Sequence, residues 1–311
     1  MAAFSIDVKV QMPQDIFPLE RLDEIKKRPA DFRLLERIPL TVPGMEKHFP
    51  LELVPPVEGE RIHHVVFLDT ETTGLHCVED KIIELGMVRC TYSFDRKILL
   101  SIDSFYDEFE DPKRPIPFEI QSLTHITDEM VAGQSFNEER VNAMLAGRPL
   151  VVAHNASFDR PFFDRRFPVL SNLSWACSIK DIQWEALGGW HGSKLEYLNM
   201  ARGWFYEAHR AYVDTLALIW LMHIEPEAFS MLIEGALRKT YRVTAVSSPF
   251  DIKDQLKEMG YHFNGTSRAW SITVGSKEDA DKQIAALQSL YNASEATVDV
   301  MTARTRYKFQ R

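Results

Sequence analysis

Between residues 62 and 106 three apolar, β-branched runs follow one another with no gap long enough for a helix: IHHVVFLD, KIIELGMVRCTY and RKILLSIDSFY. Consecutive strands joined by short connections pair as an antiparallel meander. After residue 110 the pattern changes. Helices are expected over 117–123 and 137–145, then the apolar strand LVVAH, a helix through FDRPFFDRRF that Ser157 can cap, the short strand WACSI, and helices over 194–202 and 211–223. Five strands, first in succession and then alternating with helices, predict an α/β domain over residues 61–236, its mixed sheet covered by helices on both faces.

The flanks read differently. Residues 1–60 hold one expected helix, PLERLDEIKK, and proline-marked stretches ending in LELVPPVEGE, so they are taken as an N-terminal extension and linker. Residues 240–295 predict a small α+β domain of order β-α-β-β-α, with a hairpin turning at Asn264-Gly265. Its Tyr261, Phe263 and Trp270 suit either its own core or stacking on unpaired bases. Residues 296–311 form a basic tail that interleaves Arg304, Arg306, Lys308 and Arg311 with Tyr307 and Phe309.

Composition excludes several classes. Hydrophobic residues make 45% of the 311, charged residues 26%, and Gly and Pro number only 14 and 16, which excludes a collagen-like or wholly disordered chain. No uncharged apolar run approaches the roughly 18 residues needed to cross a bilayer. The start, MAAFSIDVKVQMPQD, has no basic region followed by an apolar stretch. The three cysteines, Cys77, Cys90 and Cys177, form no CxxC pair, which suits a reducing compartment and argues against a zinc site. A cytoplasmic location is therefore expected. The net charge of -9 is uneven: residues 239–311 carry 11 Lys+Arg against 8 Asp+Glu, whereas residues 1–238 carry 25 against 37. Such an acidic front portion does not suit attracting phosphates by bulk electrostatics, but it can hold them through metal ions.

The chemistry sits where elements meet. The first strand ends in FLDTETTGL, and residues two apart on a strand share a face, so Asp69 and Glu71 can face one cation or a cation pair. They leave an apolar strand at its C-terminal end, where open α/β sheets place their ligands. In LVVAHNASFDRPFF a second apolar strand delivers His154 and Asn155, with Asp159 in the first turn of the next helix. In HRAYVDTLAL, a helix starting near Ala211 leaves His209 in the approach loop and points Asp214 inward from its first turn.

The three segments DTETTGL, HNASFDRPFF and HRAYVD, in this order, resemble the motifs of the DnaQ-like 3′-5′ exonucleases of the DEDDh subclass, to which the proofreading subunit of bacterial DNA polymerase III belongs. The resemblance covers residues 62–235. It implies an RNase H-like fold and hydrolysis of DNA from the 3′ end to nucleoside 5′-monophosphates. It implies two divalent ions, Mg²⁺ or Mn²⁺, on Asp69, Glu71, Asp159 and Asp214, with His209 as the general base and all five residues catalytic. Thr72, Leu75, His154, Asn155 and Phe158 are then candidates for binding the terminal nucleotide. The expected partner is nucleic acid with a single-stranded or frayed 3′ end, DNA before RNA. The alternatives are the same chemistry on RNA and a catalytically idle binding module. Nothing in the sequence marks a polymerase-binding segment, so a polymerase or repair partner is left open.

Overall fold

The computed structural model describes residues 18–188, 192–265 and 267–309. Residues 1–17 of the expected extension and Arg311 of the expected tail lie outside the described residues.

The N-terminal segment carries helix α1 (Leu22–Lys27) and two-residue strands β1 (Glu36–Arg37) and β2 (Leu51–Glu52). It does not stand apart from the rest. Ile38 and Leu40 are buried in the same apolar cluster as Val65, Phe67 and Leu216, each such side chain contributing about 1.5–3 kcal/mol.

The three runs form β3 (Ile62–Thr72), β4 (Ile82–Ser93) and β5 (Ile98–Phe109), paired antiparallel as the meander predicts. Helices α2 (Phe118–Thr124), α3 (Asp128–Val131) and α4 (Glu138–Met144) follow. Strand β6 (Leu150–Ala153) then returns parallel to β3, helix α5 (Ala156–Arg166) crosses over, and β7 (Trp175–Cys177) runs parallel to β6. The sheet order is β2-β5-β4-β3-β6-β7, so the five expected strands gain a short edge strand from the N-terminal segment. This mixed sheet, with helices on both faces, is the RNase H-like architecture. Helix α5 does not use the expected cap. Asn155 occupies the N-cap at φ 83°, and Ser157, already inside the helix, instead accepts a hydrogen bond from Lys180 Nζ at 2.9 Å.

On the other face lie α6 (Leu195–Met200), the short strand β8 (Trp204–Phe205) paired with β1, then α7 (Ala211–Ile224) and α8 (Pro226–Leu237). Helix α8 has no counterpart in the sequence reading. Among the described residues no single helix is long and apolar enough to cross a membrane.

A second sheet, of order β10-β11-β9-β12, comprises β9 (Thr240–Ala245), β10 (His262–Asn264), β11 (Ala269–Val274) and β12 (Thr297–Met301). Helices α9 (Lys253–Glu258) and α10 (Lys277–Leu290) accompany it. Its core buries Val243, Leu256, Tyr261 and Leu287. Tyr261 is thus a core residue, while Phe263 is 53% exposed beside Trp270, their ring centroids 5.4 Å apart. Part of the stretch read as a basic tail is β12, paired antiparallel with β9.

The chain then returns to the first sheet. Trp175 N–H donates to Ala303 O at 2.8 Å, which covers the β7 edge. Arg160, fully buried, donates to the carbonyls of Ala303, Arg304, Arg306, Ser171 and Leu173. Arg306 donates to Asp181 Oδ1 at 2.9 Å and to the carbonyls of Gly235, Ala236 and Arg238, which end α8.

Candidate active site

The site forms at the C-terminal end of β3. Alternation puts Val65, Phe67, Asp69 and Glu71 on the face that packs α7, and Val66, Leu68, Thr70 and Thr72 on the face toward α5. Thus two carboxylates emerge where the apolar stripe runs out. Helix α7 comes close enough to meet them because β4 carries Gly86 opposite Asp69. A Cβ there would lie 2.4 Å from Tyr212 N and 2.5 Å from Ala211 C, so a larger residue would lift the helix off the sheet.

Asp214, one turn into α7, is held from both sides. Tyr206 Oη donates to Oδ1 at 2.8 Å, and the backbone N–H groups of His209 and Arg210 donate to Oδ2 at 2.8 and 3.3 Å. Asp69, Glu71 and Asp214 each bring one oxygen within 4.8 Å of the others. Asp159 approaches from α5. Its Oδ1 accepts from Thr70 N–H at 3.2 Å and from Thr70 Oγ1 at 3.0 Å, which ties the helix to the strand between the other two acids. His209 lies exposed in the loop before α7, its backbone at φ 67°, which turns the chain sharply into the helix.

Burial and mutual repulsion push these acids upward. Asp69 is raised well above the ordinary carboxylate range, by burial first and then by Asp159, Asp214, Glu71 and Glu84. Burial, with Asp214 and Glu84 beside it, lifts Glu71 to about 8. Burial raises Asp159 to about 7 despite the Thr70 donors, and Asp214 to about 6 despite Tyr206 and the His209 N–H. The neighbouring guanidinium of Arg210 offsets only part of this, at Glu71. Arg210 Nε and Nη2 are engaged by Glu84, which also accepts from Ala211 N–H at 2.9 Å. Hard oxygen donors crowded in this way match a divalent cation such as Mg²⁺ or Mn²⁺.

The remaining sequence candidates divide. Leu75, 77% exposed, and Phe158 line one cleft of ≈510 Å³ against the start of α5. Thr72 is buried, its hydroxyl donating to Gly74 O at 2.6 Å. His154 has both ring nitrogens engaged: Nε2–H donates to Ser193 O and Nδ1 accepts from Ser178 Oγ, each at 2.7 Å, and burial lowers its pKa to about 4. It is a neutral strut between β6 and the loop before α6.

Sequence reasoning passed over Glu84, Tyr206 and Gly86. Only Gly86 left a usable signal, a glycine inside an apolar strand, which marks close backbone approach.

The exonuclease family model RNase_T matches residues 66–222. The DNA polymerase III subunit epsilon of Treponema pallidum (strain Nichols) is 33% identical over 206 residues, covering 63% of this chain and 89% of that protein. The PolC-type DNA polymerase III of Clostridium perfringens (strain 13 / Type A) is 39% identical over 129 residues, covering 41% of this chain and 8% of that polymerase. The chain therefore spans a small fraction of the PolC-type relatives and most of the epsilon relative. Among solved structures, exonuclease I is similar at TM-score 0.45 and 18% identity, over 58% of this chain and 48% of that one. Exonuclease X in complex with 5′ overhanging duplex DNA is similar at TM-score 0.37 and 24% identity, over 55% of this chain and 98% of that one. With the family match over half its length and its acidic motifs gathered at one strand end, the chain belongs to the DnaQ-like exonuclease family.

Proposed function

We propose that the chain is a cytoplasmic, metal-dependent 3′-5′ exonuclease of the DEDDh subclass that releases nucleoside 5′-monophosphates from single-stranded or frayed DNA ends. The observation that carries this reading is the convergence of Asp69, Glu71 and Asp214 within 4.8 Å, with Asp159 fixed beside them through Thr70. In this reading Asp69, Glu71, Asp159 and Asp214 hold two divalent ions, Mg²⁺ or Mn²⁺. When bound, these ions supply activation of the attacking water and charge stabilisation for the leaving 3′-oxygen.

The chain's own groups do the rest. His209, exposed at the site's rim, takes the proton of the attacking water, the role of a positioned imidazole in general base catalysis. Tyr206 and the backbone at 209–210 fix the direction in which Asp214 presents its oxygens. Thr72, Leu75, Asn155 and Phe158 surround the terminal nucleotide, and His154 braces the loop behind it. We propose a nuclease over 61–236, to whose sheet and core the N-terminal segment adds β2, Ile38 and Leu40, and a small α+β domain over 240–295 that β12 extends to Met301. The relatives' names place them in DNA polymerase III, so a polymerase partner belongs to this proposal too.

The test uses 5′-labelled single-stranded DNA and RNA of matched sequence with Mg²⁺, Mn²⁺ or EDTA, beside His209→Ala. A metal-dependent ladder shortening from the 3′ end of DNA, weaker on RNA and lost in the variant, is expected. Preference for RNA would replace the substrate, and no cleavage of either by folded protein would overturn the reading.

A further inference from the structure

A cleft of ≈750 Å³ opens between the nuclease helices and the second sheet, and none of the four acids lines it. It is lined by α5, α8, the second sheet and residues 306–309. In a chain of net charge -9 this surface runs the other way. Lys180, Arg238, Arg242, Arg306 and Lys308 face it against Asp181 and Glu234. Both acids are already matched, Asp181 by Arg306 and Tyr307, and Glu234 by Lys97, while Arg242 also pairs with Asp299 at 3.1 Å. The buried Oγ1 of Thr240 and Nε of Arg242, both at its wall, lack a protein partner.

Two further observations give the cleft a direction. Ser157, Pro161 and Phe309 line both it and the smaller cleft holding Leu75 and Phe158, so the two adjoin beside the helix that carries Asp159. Aromatic faces accompany the cations: Tyr307 lies 5.9 Å beneath Lys180 Nζ, and Phe309 is 43% exposed. Cations that follow a backbone, interleaved with rings that accept any base, are the chemistry of single-strand binding.

We infer that this cleft is the track for the single strand upstream of the 3′ end, with Lys180, Arg238, Arg242 and Lys308 on its phosphates and Phe309 stacking on a base. The inference rests on the proposed function only for the strand's direction.

The test is equilibrium binding in EDTA, where nothing is cleaved, of labelled single strands of four and sixteen nucleotides and of a blunt duplex. The full chain is compared with Lys180→Ala/Arg238→Ala/Lys308→Ala and with Lys308→Glu alone. The triple variant is expected to weaken the long strand at least ten-fold, the short one less than three-fold, and to flatten the salt dependence of the long strand by about two units of log–log slope. Lys308→Glu should show the same length dependence. Equal losses at both lengths, no loss, or an equal loss on the duplex would overturn the track. A wild-type protein that binds by length yet cleaves nothing would defeat the activity and leave the track standing.

Discussion

Asp159 and Arg160 are neighbours on one helix, and each belongs to a buried charged cluster of opposite character. On one side four acids gather with raised pKa values, and the guanidinium beside them is occupied by Glu84. On the other, Arg160 and Arg306 meet eight backbone carbonyls between them and the carboxylates of Asp164 and Asp181. Burying a charge costs heavily unless it is paired and hydrogen-bonded. The arginine cluster meets that cost from within the chain and is scaffold. The acidic cluster meets it only in part, at Asp159 through Thr70 and at Asp214 through Tyr206 and the backbone, and its excess negative charge is compatible with cations from outside.

The comparison breaks most visibly at the acids. His209→Ala should lower kcat on single-stranded DNA by about 10²–10⁴-fold, the usual share of a general base. Its urea midpoint should stay unchanged, since the side chain is exposed. A loss below ten-fold in single-turnover rates would remove it from the base role. The arginine cluster predicts the reverse. Arg160→Ala leaves Asp164 without its partner and several carbonyls without donors, and should cost about 3–5 kcal/mol in urea unfolding. A cost under 1 kcal/mol would mean that residues 302–307 are not held through this side chain.

Smaller effects sharpen the contrast. Tyr206→Phe deletes one donor to Asp214, worth about 1.5–3 kcal/mol for a bond to a charged group. It should weaken Mn²⁺ binding several-fold while Arg160 and its carbonyls are untouched, as isothermal titration would report.

The smallest is a pH effect on the metal-free protein. Glu71 is raised to about 8 when folded, against about 4.3 in the unfolded chain. The folded state therefore binds more protons between these values, and its stability should fall as pH rises from 4.5 through 8. Thermal melts in EDTA across this range should show that decline, and added Mn²⁺ should remove it. A flat profile would mean that the acids do not strain the metal-free fold.

Much of this was legible in the sequence because the motifs stand at boundaries. Asp69 and Glu71 end an apolar strand, Asp159 opens a helix after Asn155, and Asp214 opens another after His209. In each case local pattern decides both element and direction. What escaped depends on distant partners. Glu84 reads as one more residue of an apolar strand, and only the arrival of Arg210, 126 residues away, explains its burial. Arg306 reads as part of a basic tail, and nothing in the sequence singles out Arg160, until the chain's return supplies carbonyls. Helix α8 was missed although Pro226 at its start and the buried Ala228, Phe229, Leu232 and Ile233 at helical spacing announce it. Strand β12 was hidden because Val298 and Val300 alternate in a segment whose basic residues suggested a free tail.

The central claim is that external cations complete the acidic cluster. Isothermal titration of metal-free protein with Mn²⁺ near neutral pH, wild type beside Asp214→Asn, tests it most directly. The account predicts saturable binding to wild type, weakened at least ten-fold in the variant, with a thermal midpoint that rises with Mn²⁺ in wild type alone. Absence of binding, or binding equal in the two proteins, would contradict it.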